Sequence, residues 1–292
     1  NRYGTIGEIV VGLDAVLADG TEMSTGGWSH RSTGPDLQQL LIGSEGTLAI
    51  ITGSRLLAHP VPVAEHRSAW SFPSFEAGAD ACRRIARRGP SPAALRLYDV
   101  AATTRLVDEE CATATSLDAA LVERWWEHRN DVSALEALIS RGYMVDTLEC
   151  TARWRDVPAV YAAVRDAIAA VPGVIASTAH LSHSYSDSGC LYFTFAGQPA
   201  TSGPDAVAAL SIAAWDAGTD AALTAGASLS HHHGIGLGRA RAMRRALGDG
   251  GLEALARIKM ALDPNGILNP GKLGLSSPFG PTPLLDPSGD PR

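Results

Sequence analysis

The spacing of apolar and polar positions changes period several times along the chain. Residues 8–18 (EIVVGLDAVLA) read as a strand closed by the Asp19-Gly20 turn. The Gly-, Ser- and Thr-rich stretch 21–35 reads as a loop. DLQQLLIG then reads as a helix, GSEG as a tight turn and TLAIITGSRLLA as an apolar strand ending at His59-Pro60. From residue 66 the rhythm is different. HRSAWSF predicts a strand, and 74–88 a helix with Phe75, Ala79, Cys82 and Ile85 on one face. A strand follows over 94–100, then mostly helix over 101–142 with a polar break at 112–118 and an acidic patch at Asp108, Glu109 and Glu110. A second cycle predicts strand 143–151, helix 155–170, strand 173–183, the SDSG turn, strand 189–196 and an Ala-rich helix over 204–225. After the glycine-rich GASLSHHHGIGLGR come helices near 238–247 and 250–261, and LDPNGILNPGKL closes the globular part.

Two rounds of strand–helix–strand give an α+β class, with an antiparallel sheet covered by helices. The expected divisions are a small αβ unit over 1–60, a larger domain over 61–225, a histidine-bearing loop with helices over 226–275, and a flexible Pro-, Gly- and Ser-rich tail over 276–292. With 292 residues, 45% hydrophobic and 19% charged, the composition is that of a folded protein. A formal charge of −7 without basic clusters argues against nucleic acid as a partner. No apolar run approaches the ~20 residues of a bilayer span. Cys82, Cys111, Cys150 and Cys190 form no CxxC pair and no disulfide framework, which fits inert thiols in a reducing compartment and a cytoplasmic location, peripheral membrane attachment being left open.

The sharpest chemical signal is SHHHGIG, residues 230–236. Three consecutive imidazoles on a regular strand would split between two faces, whereas a loop ending in Gly-Ile-Gly can turn them toward one cavity. Imidazole moves protons near neutral pH. A metal site is the second reading and needs helpers such as His180, His183 or Cys190. SHSYSDSG places Tyr185 at a strand end, where a phenol can donate a hydrogen bond or relay a proton. GSEG followed by a strand lets backbone N–H groups approach a phosphate or ring edge. GIGLGR follows a loop rather than a strand, which argues against a dinucleotide fold of the strand–GxGxxG–helix kind. Arg96, inside the apolar strand ALRLYD, needs a carboxylate, a phosphate or a polar cavity, with Asp99 and Glu149 as candidate partners.

YGTIGEIVVGLDAVLADGT, STGPDLQQLLIGSEGTLAIIT, ALRLYD, VDTLEC, SHSYSDSGCLYFTF, SLSHHHGIG and LDPNGILNPGKL occur together and in order. In this the chain, from residue 1 to about 275, resembles the FAD-linked oxidase superfamily that includes vanillyl-alcohol oxidase. Within it the three-histidine form after SYSDSG is most similar to the alkylglycerone-phosphate synthase branch and its bacterial relatives. The resemblance implies the C-terminal part of a PCMH-type FAD-binding domain over 1–60, and a cap domain after it. It implies FAD as cofactor and a small-molecule or lipid-like substrate, with a homodimer compatible. The implied activity exchanges acyl for alkyl on dihydroxyacetone phosphate by way of the flavin N5 atom, in ether lipid synthesis, or is that of a bacterial oxidase derived from such an enzyme. Tyr185, His231, His232, His233 and Arg96 take catalytic roles by resemblance. Gly46, Thr47, Leu48, Ala49, Ile50, Ile51 and Thr52 match a stretch contacting FAD. Arg96 and Arg129 are candidate substrate contacts, and no metal ligand is assigned.

Three departures from the branch stand out. Its main pyrophosphate-binding loops lie upstream of residue 1, so the chain is expected to begin inside the flavin domain, truncated or processed, and to hold FAD weakly by itself. A substrate-contacting arginine aligns with Leu135, leaving Arg129 or Arg141 as stand-ins. Residues 101–125 are short for the strand and helix expected there. The alternatives are a metal-assisted D-2-hydroxyacid dehydrogenase, in which two of four ligand positions are altered here, and a non-catalytic fragment or one subunit of a split flavoenzyme.

Overall fold

The structure, a computed structural model, describes residues 1–28, 30, 32–88, 92–99, 115–129, 131 and 133–280. The acidic patch at 108–110, Cys111 and tail residues 281–292 lie outside the described residues. The chain divides into two units: Asn1–Arg2 with Val61–His231, and Tyr3–Pro60 with His232–Arg292.

In the second unit a short helix, α1 (Ile6–Ile9), begins where the pattern predicts only strand. The Glu8 carboxylate reaches back to accept the Thr5 backbone N–H at 2.7 Å, a Thr-x-x-Glu box that nucleates a turn ahead of the apolar run. β1 (Val10–Val16) follows and pairs on one side with β2 (Glu22–Ser24), three residues of the expected loop drawn into a hairpin across Asp19-Gly20. On its other side β1 pairs with β3 (Ile50–Leu56), giving the antiparallel order β2-β1-β3. Between them, α2 (Leu37–Leu41) has its N-terminus closed by Asp36, whose side chain accepts the Gln38 and Gln39 amides. Val10, Leu13, Ala15, Leu41, Leu48 and Ala49 form the core of this unit.

The first unit opens with β4 (Trp70–Ser71), much shorter than its predicted run, and α3 (Phe75–Arg88). The buried stripe of α3 is Phe75, Gly78, Ala79 and Cys82, with Ala86 partly buried, whereas Ile85 is exposed. Gly78 explains the rotation: a Cβ there would meet Leu97 Cδ1 at 2.5 Å, so the helix lies closest to the sheet along that line. Then come β5 (Leu97–Tyr98), β6 (Thr115–Ser116), which pairs with β4, α4 (Ala119–His128) and α5 (Ser133–Ile139). β7 (Met144–Arg153), α6 (Val157–Ala169), β8 (Val174–Ser184), β9 (Ser188–Gly197) and α7 (Pro204–Thr224) complete the unit.

The main sheet is antiparallel, in the order β5-β8-β9-β7. One face carries Leu148, Cys150, Ala179, Leu181, Leu191, Phe193 and Phe195 against Phe75 and Ala79 of α3, Val160, Val164 and Ile168 of α6, and Leu210 and Ala214 of α7. Each large apolar side chain removed from water there contributes roughly 1.5–3 kcal/mol. The opposite face is left to polar and aromatic side chains. The α+β class with an antiparallel sheet covered by helices is therefore observed, with α3, α6 and α7 on the apolar face and Trp125 of α4 donating to the Tyr98 hydroxyl on the other.

The chain ends with α8 (Met243–Leu262), interrupted at Gly248 (φ 71°, ψ 169°), so that the two predicted helices are two segments either side of a glycine break. No helix among the described residues is long and apolar enough to cross a membrane. Near the end of α8, Lys259 is buried. Its ammonium donates to Asp263, to the Thr47 carbonyl at 2.8 Å and to the Leu268 carbonyl at 2.6 Å. Asp263 in turn accepts the Ile267 and Leu268 amides. Burial raises the Asp263 carboxyl, but Lys259 and the two amides outweigh it, and the net displacement is below the usual carboxylate range. Lys259→Met should lower stability by about 3–5 kcal/mol in chemical denaturation, because it strands a buried carboxylate. Since the folded-state pKa of Asp263 is lowered, its contribution is present above the ordinary carboxylate range and lost as pH falls through the folded value. The gap between wild type and Lys259→Met should therefore narrow in acid.

Candidate active site

The strand pair β8–β9 sets the site. Along β8 the register runs His180 opposite Tyr192, Leu181 opposite Leu191, then His183 opposite Cys190, so that Ser182 is an extra residue, a β-bulge. Without it, three residues of separation would put His180 and His183 on opposite faces. With it, both lie on the face away from the helices. Tyr185 follows His183 by two and shares that face, the two rings 6.5 Å apart and nearly parallel at 8°. The Tyr185 backbone is pinned by its N–H donating to the Ser188 carbonyl and its carbonyl accepting from Trp154 Nε1, both at 2.8 Å.

His231 is brought to this phenol by the free edge of β7. The Ser228 N–H donates to the Thr151 carbonyl, and the Thr151 N–H donates to Ser228 Oγ, each at 2.8 Å. Two residues along, the fully buried Glu149 carboxylate accepts Ser230 Oγ–H at 2.6 Å and the His231 N–H at 2.5 Å. The result is a contact of 2.7 Å between Tyr185 OH and His231 Nε2. With the ring proton on Nδ1, the phenol donates to Nε2, and the pair can pass a proton in either direction. The His183 ring lies 4.8 Å from that of His231.

The unit boundary falls inside the triplet, between His231 and His232. His232 and His233 are exposed, with rings 4.5 Å apart edge to face. Their loop is tied down within the second unit by Glu45, whose carboxylate accepts the Ile235 N–H at 2.6 Å and the Gly236 N–H at 2.8 Å. Gly234 has φ +76°, and a Cβ there would meet Glu45 Oε1 at 2.7 Å, so the close approach requires glycine.

The stretch matched to FAD contact divides in two. Thr47, Leu48 and Ala49 are buried in the unit's own core, Gly46 (φ +70°) turns the chain, and Ile50, Ile51 and Thr52 are exposed on the edge strand β3. Ile50 and Ile51 are exposed on opposite sides of the strand, so either one offers an apolar surface to a flat ring, and the Gly46 turn beside them is closely approached by the Asn269 amide. Nothing among the described residues resembles a diphosphate cradle, and the α2 N-terminus is already closed by Asp36. The residues present fit the ring system of a flavin.

Arg96 does not find the carboxylates expected for it. Its guanidinium is exposed and lies 5.4 Å from the Trp125 ring centroid. Asp99 points the other way, accepting the Ala179 amide at 2.8 Å and Tyr161 OH at 3.2 Å, while Glu149 is taken by the 230–231 segment. Arg129 stacks on Trp126 at 3.7 Å and donates to that residue's carbonyl, which fixes it against its own helix end. Leu135 sits half-buried on α5. Pattern reading named His183 and Cys190 only as helpers of the metal alternative and Glu149 only as a partner for Arg96, not as neighbours of the Tyr185–His231 pair. Only the shared parity of His183 and Tyr185 on one strand pointed to it.

Cys190 and Cys82 are buried, and burial pushes their thiols up to about 12 and about 11. Neither should react with a disulfide reagent at neutral pH until the protein unfolds; labelling followed by mass spectrometry checks this.

Known proteins resemble this chain. The family described as FAD linked oxidases, C-terminal domain, matches residues 61–111 and 100–273. An alkyldihydroxyacetonephosphate synthase of Trypanosoma brucei brucei is 27% identical over 95% of this chain and 54% of its own length. A mitochondrial cytochrome-linked D-lactate dehydrogenase of Arabidopsis thaliana is 25% identical over 93% of this chain and 53% of its own. A solved alkyldihydroxyacetonephosphate synthase superposes with a TM-score of 0.61 at 20% identity, covering 92% of this chain and 54% of that one, which speaks for the fold. The chain thus spans about half the length of these relatives.

Proposed function

The chain belongs to the FAD linked oxidases, a family of enzymes whose cofactor is FAD, and on that premise we propose that it works as an enzyme of the alkyldihydroxyacetonephosphate synthase type, replacing the acyl group of an acyl dihydroxyacetone phosphate with an alkyl group from a long-chain alcohol. The observation that carries this reading is the 2.7 Å contact between the Tyr185 hydroxyl and His231 Nε2 on the open face of the main sheet. Bound FAD would supply the electrophilic or electron-accepting ring, contacted by Gly46 and by Ile50, Ile51 and Thr52. The phenol–imidazole pair takes or returns the proton at the substrate carbon, and the hydroxyl of Tyr185 stays aligned because its backbone is held at both ends. His232 and His233 extend the imidazole-bearing segment beyond this pair. Arg96 and Arg129 are the guanidinium groups we assign to anionic parts of the substrate; Arg96 would exchange only its contact with the Trp125 ring for a phosphate, whereas Arg129 would also have to leave the Trp126 carbonyl.

A second reading is favoured by one cluster. The ligand atoms of His183, Cys190 and His231 lie within 4.8 Å of one another, a set that can take a divalent transition metal, as a metal-assisted dehydrogenase of D-2-hydroxy acids would need. Against it stands the Cys190 thiol, which burial pushes up to about 12, so that a metal would have to displace a tightly held proton.

Tyr185→Phe and His231→Ala, assayed as FAD-loaded enzyme for release of fatty acid and formation of the ether, should each lower turnover by about 10²–10⁴-fold while leaving the flavin absorbance band in place. Wild-type rates in both would reject the assignment. Tight stoichiometric zinc or manganese, together with oxidation of a D-2-hydroxy acid, would replace the first reading by the second.

A further inference from the structure

We propose that Glu149 is the positioning residue of the site: its buried carboxylate sets the distance between His231 and Tyr185. This rests on the reading of that pair as the proton-handling group.

Four observations converge. Glu149 is 0% exposed although it carries an ionisable group. A carboxylate kept from water needs hydrogen bonds to both oxygens, and here Oε1 accepts Ser230 Oγ–H and Oε2 accepts the His231 N–H. Its place in the register, opposite Tyr192, puts it on the open face in the row that also holds Tyr98 and His180, not on the helix-covered face. Finally, the segment it holds is also tied to the sheet at Ser228, through Thr151, and the carboxylate is the contact made to the 231 backbone N–H itself. The Ser230 carbonyl accepts from Ser228 Oγ at 3.1 Å, which stiffens the short span between the two anchors. A shift of the His231 backbone moves its ring with it, because only one methylene group joins them. Displacement of a reacting group by about 1 Å can cost about 10²-fold in rate.

The chemistry of the two donors separates positioning from charge. Ser230 carries a hydroxyl, which can also accept, whereas the His231 N–H can only donate. An amide at 149 satisfies both, with its oxygen on the His231 N–H and its nitrogen on Ser230 Oγ. Glu149→Gln therefore keeps the geometry and loses only the charge, while Glu149→Leu fills the space and holds neither donor.

In the FAD-loaded enzyme, Glu149→Leu should lower kcat by about 10²-fold with KM changed less than about twofold, and Glu149→Gln should recover activity to within about tenfold of wild type. A readout that needs no turnover goes with this. In 15N-histidine-labelled protein at one fixed pH, Glu149→Leu should move the His231 Nε2 resonance to where Tyr185→Phe puts it, and Glu149→Gln should leave it at the wild-type position. If Glu149→Leu does not fold, Ser230→Ala, which removes one of the two donors, should move the resonance in the same direction. A wild-type Nε2 resonance in Glu149→Leu or Ser230→Ala, or a Glu149→Gln variant as displaced as Glu149→Leu, overturns the proposal. Displaced resonances in a protein that shows no synthase turnover even as wild type would leave Glu149 in its positioning role and sink the functional reading alone.

Discussion

The two-residue repeat of a β-strand governs this molecule, and one insertion into it decides where the chemistry goes. The main sheet devotes one face to a dense layer of leucine, phenylalanine and alanine under three helices. Every functional side chain on β7, β8 and β9 must therefore sit at positions of the other parity. His180 and Tyr192 satisfy this directly. His183 and Tyr185 satisfy it only because Ser182 is looped out of the pairing, which returns the strand to the open face after an interruption of one residue. Remove that extra residue and an imidazole and a phenol would be driven into hydrocarbon.

The open face then imposes its own order. Its buried acid, Glu149, lies on the edge strand, where the following chain has a free backbone edge to bind. That edge is what receives Ser228 and, two residues later, the Ser230–His231 pair. This segment is thus tied to the sheet by ordinary strand chemistry at Thr151 and, beside it, by the Glu149 side chain. In the second unit another acid, Glu45, does the equivalent for Gly234–Gly236, there by accepting the consecutive Ile235 and Gly236 amides, where Glu149 takes one hydroxyl and one amide. Two carboxylates, one in each unit, hold the two halves of the histidine-bearing segment.

Much of this was legible in the residues. The long periodic helices and the antiparallel pair around SDSG follow from apolar spacing and turn residues. Two helices divided near Gly248 were also readable, since glycine there breaks an otherwise periodic run. Tyr185 and His231 could be chosen from the sequence, but their contact could not, because it depends on a bulge that leaves no compositional mark. The helix at Ile6–Ile9 carried a readable signal in Thr5 and Glu8 that the apolar run behind it masked. Ile85 looked like core by its periodicity and is exposed, because the close approach at Gly78 turns α3 toward Ala86 instead. Arg96 was expected to seek Asp99 or Glu149. It stacks on an indole, since Asp99 is committed to the Ala179 amide on the neighbouring strand, a pairing that only tertiary register reveals.

The separation of the sheet into a hydrocarbon side and a reactive side also bears on how such proteins diversify. Tyr98, His180 and Tyr192 stack in sequence across three strands, at centroid distances of 5.0 and 4.9 Å, and none of them belongs to the helix-packed core. Exchanges along this row alter what lies beside the imidazole and phenol without disturbing the layer on which folding depends. Lineages sharing this scaffold can thus drift toward different substrates while their interiors stay nearly constant.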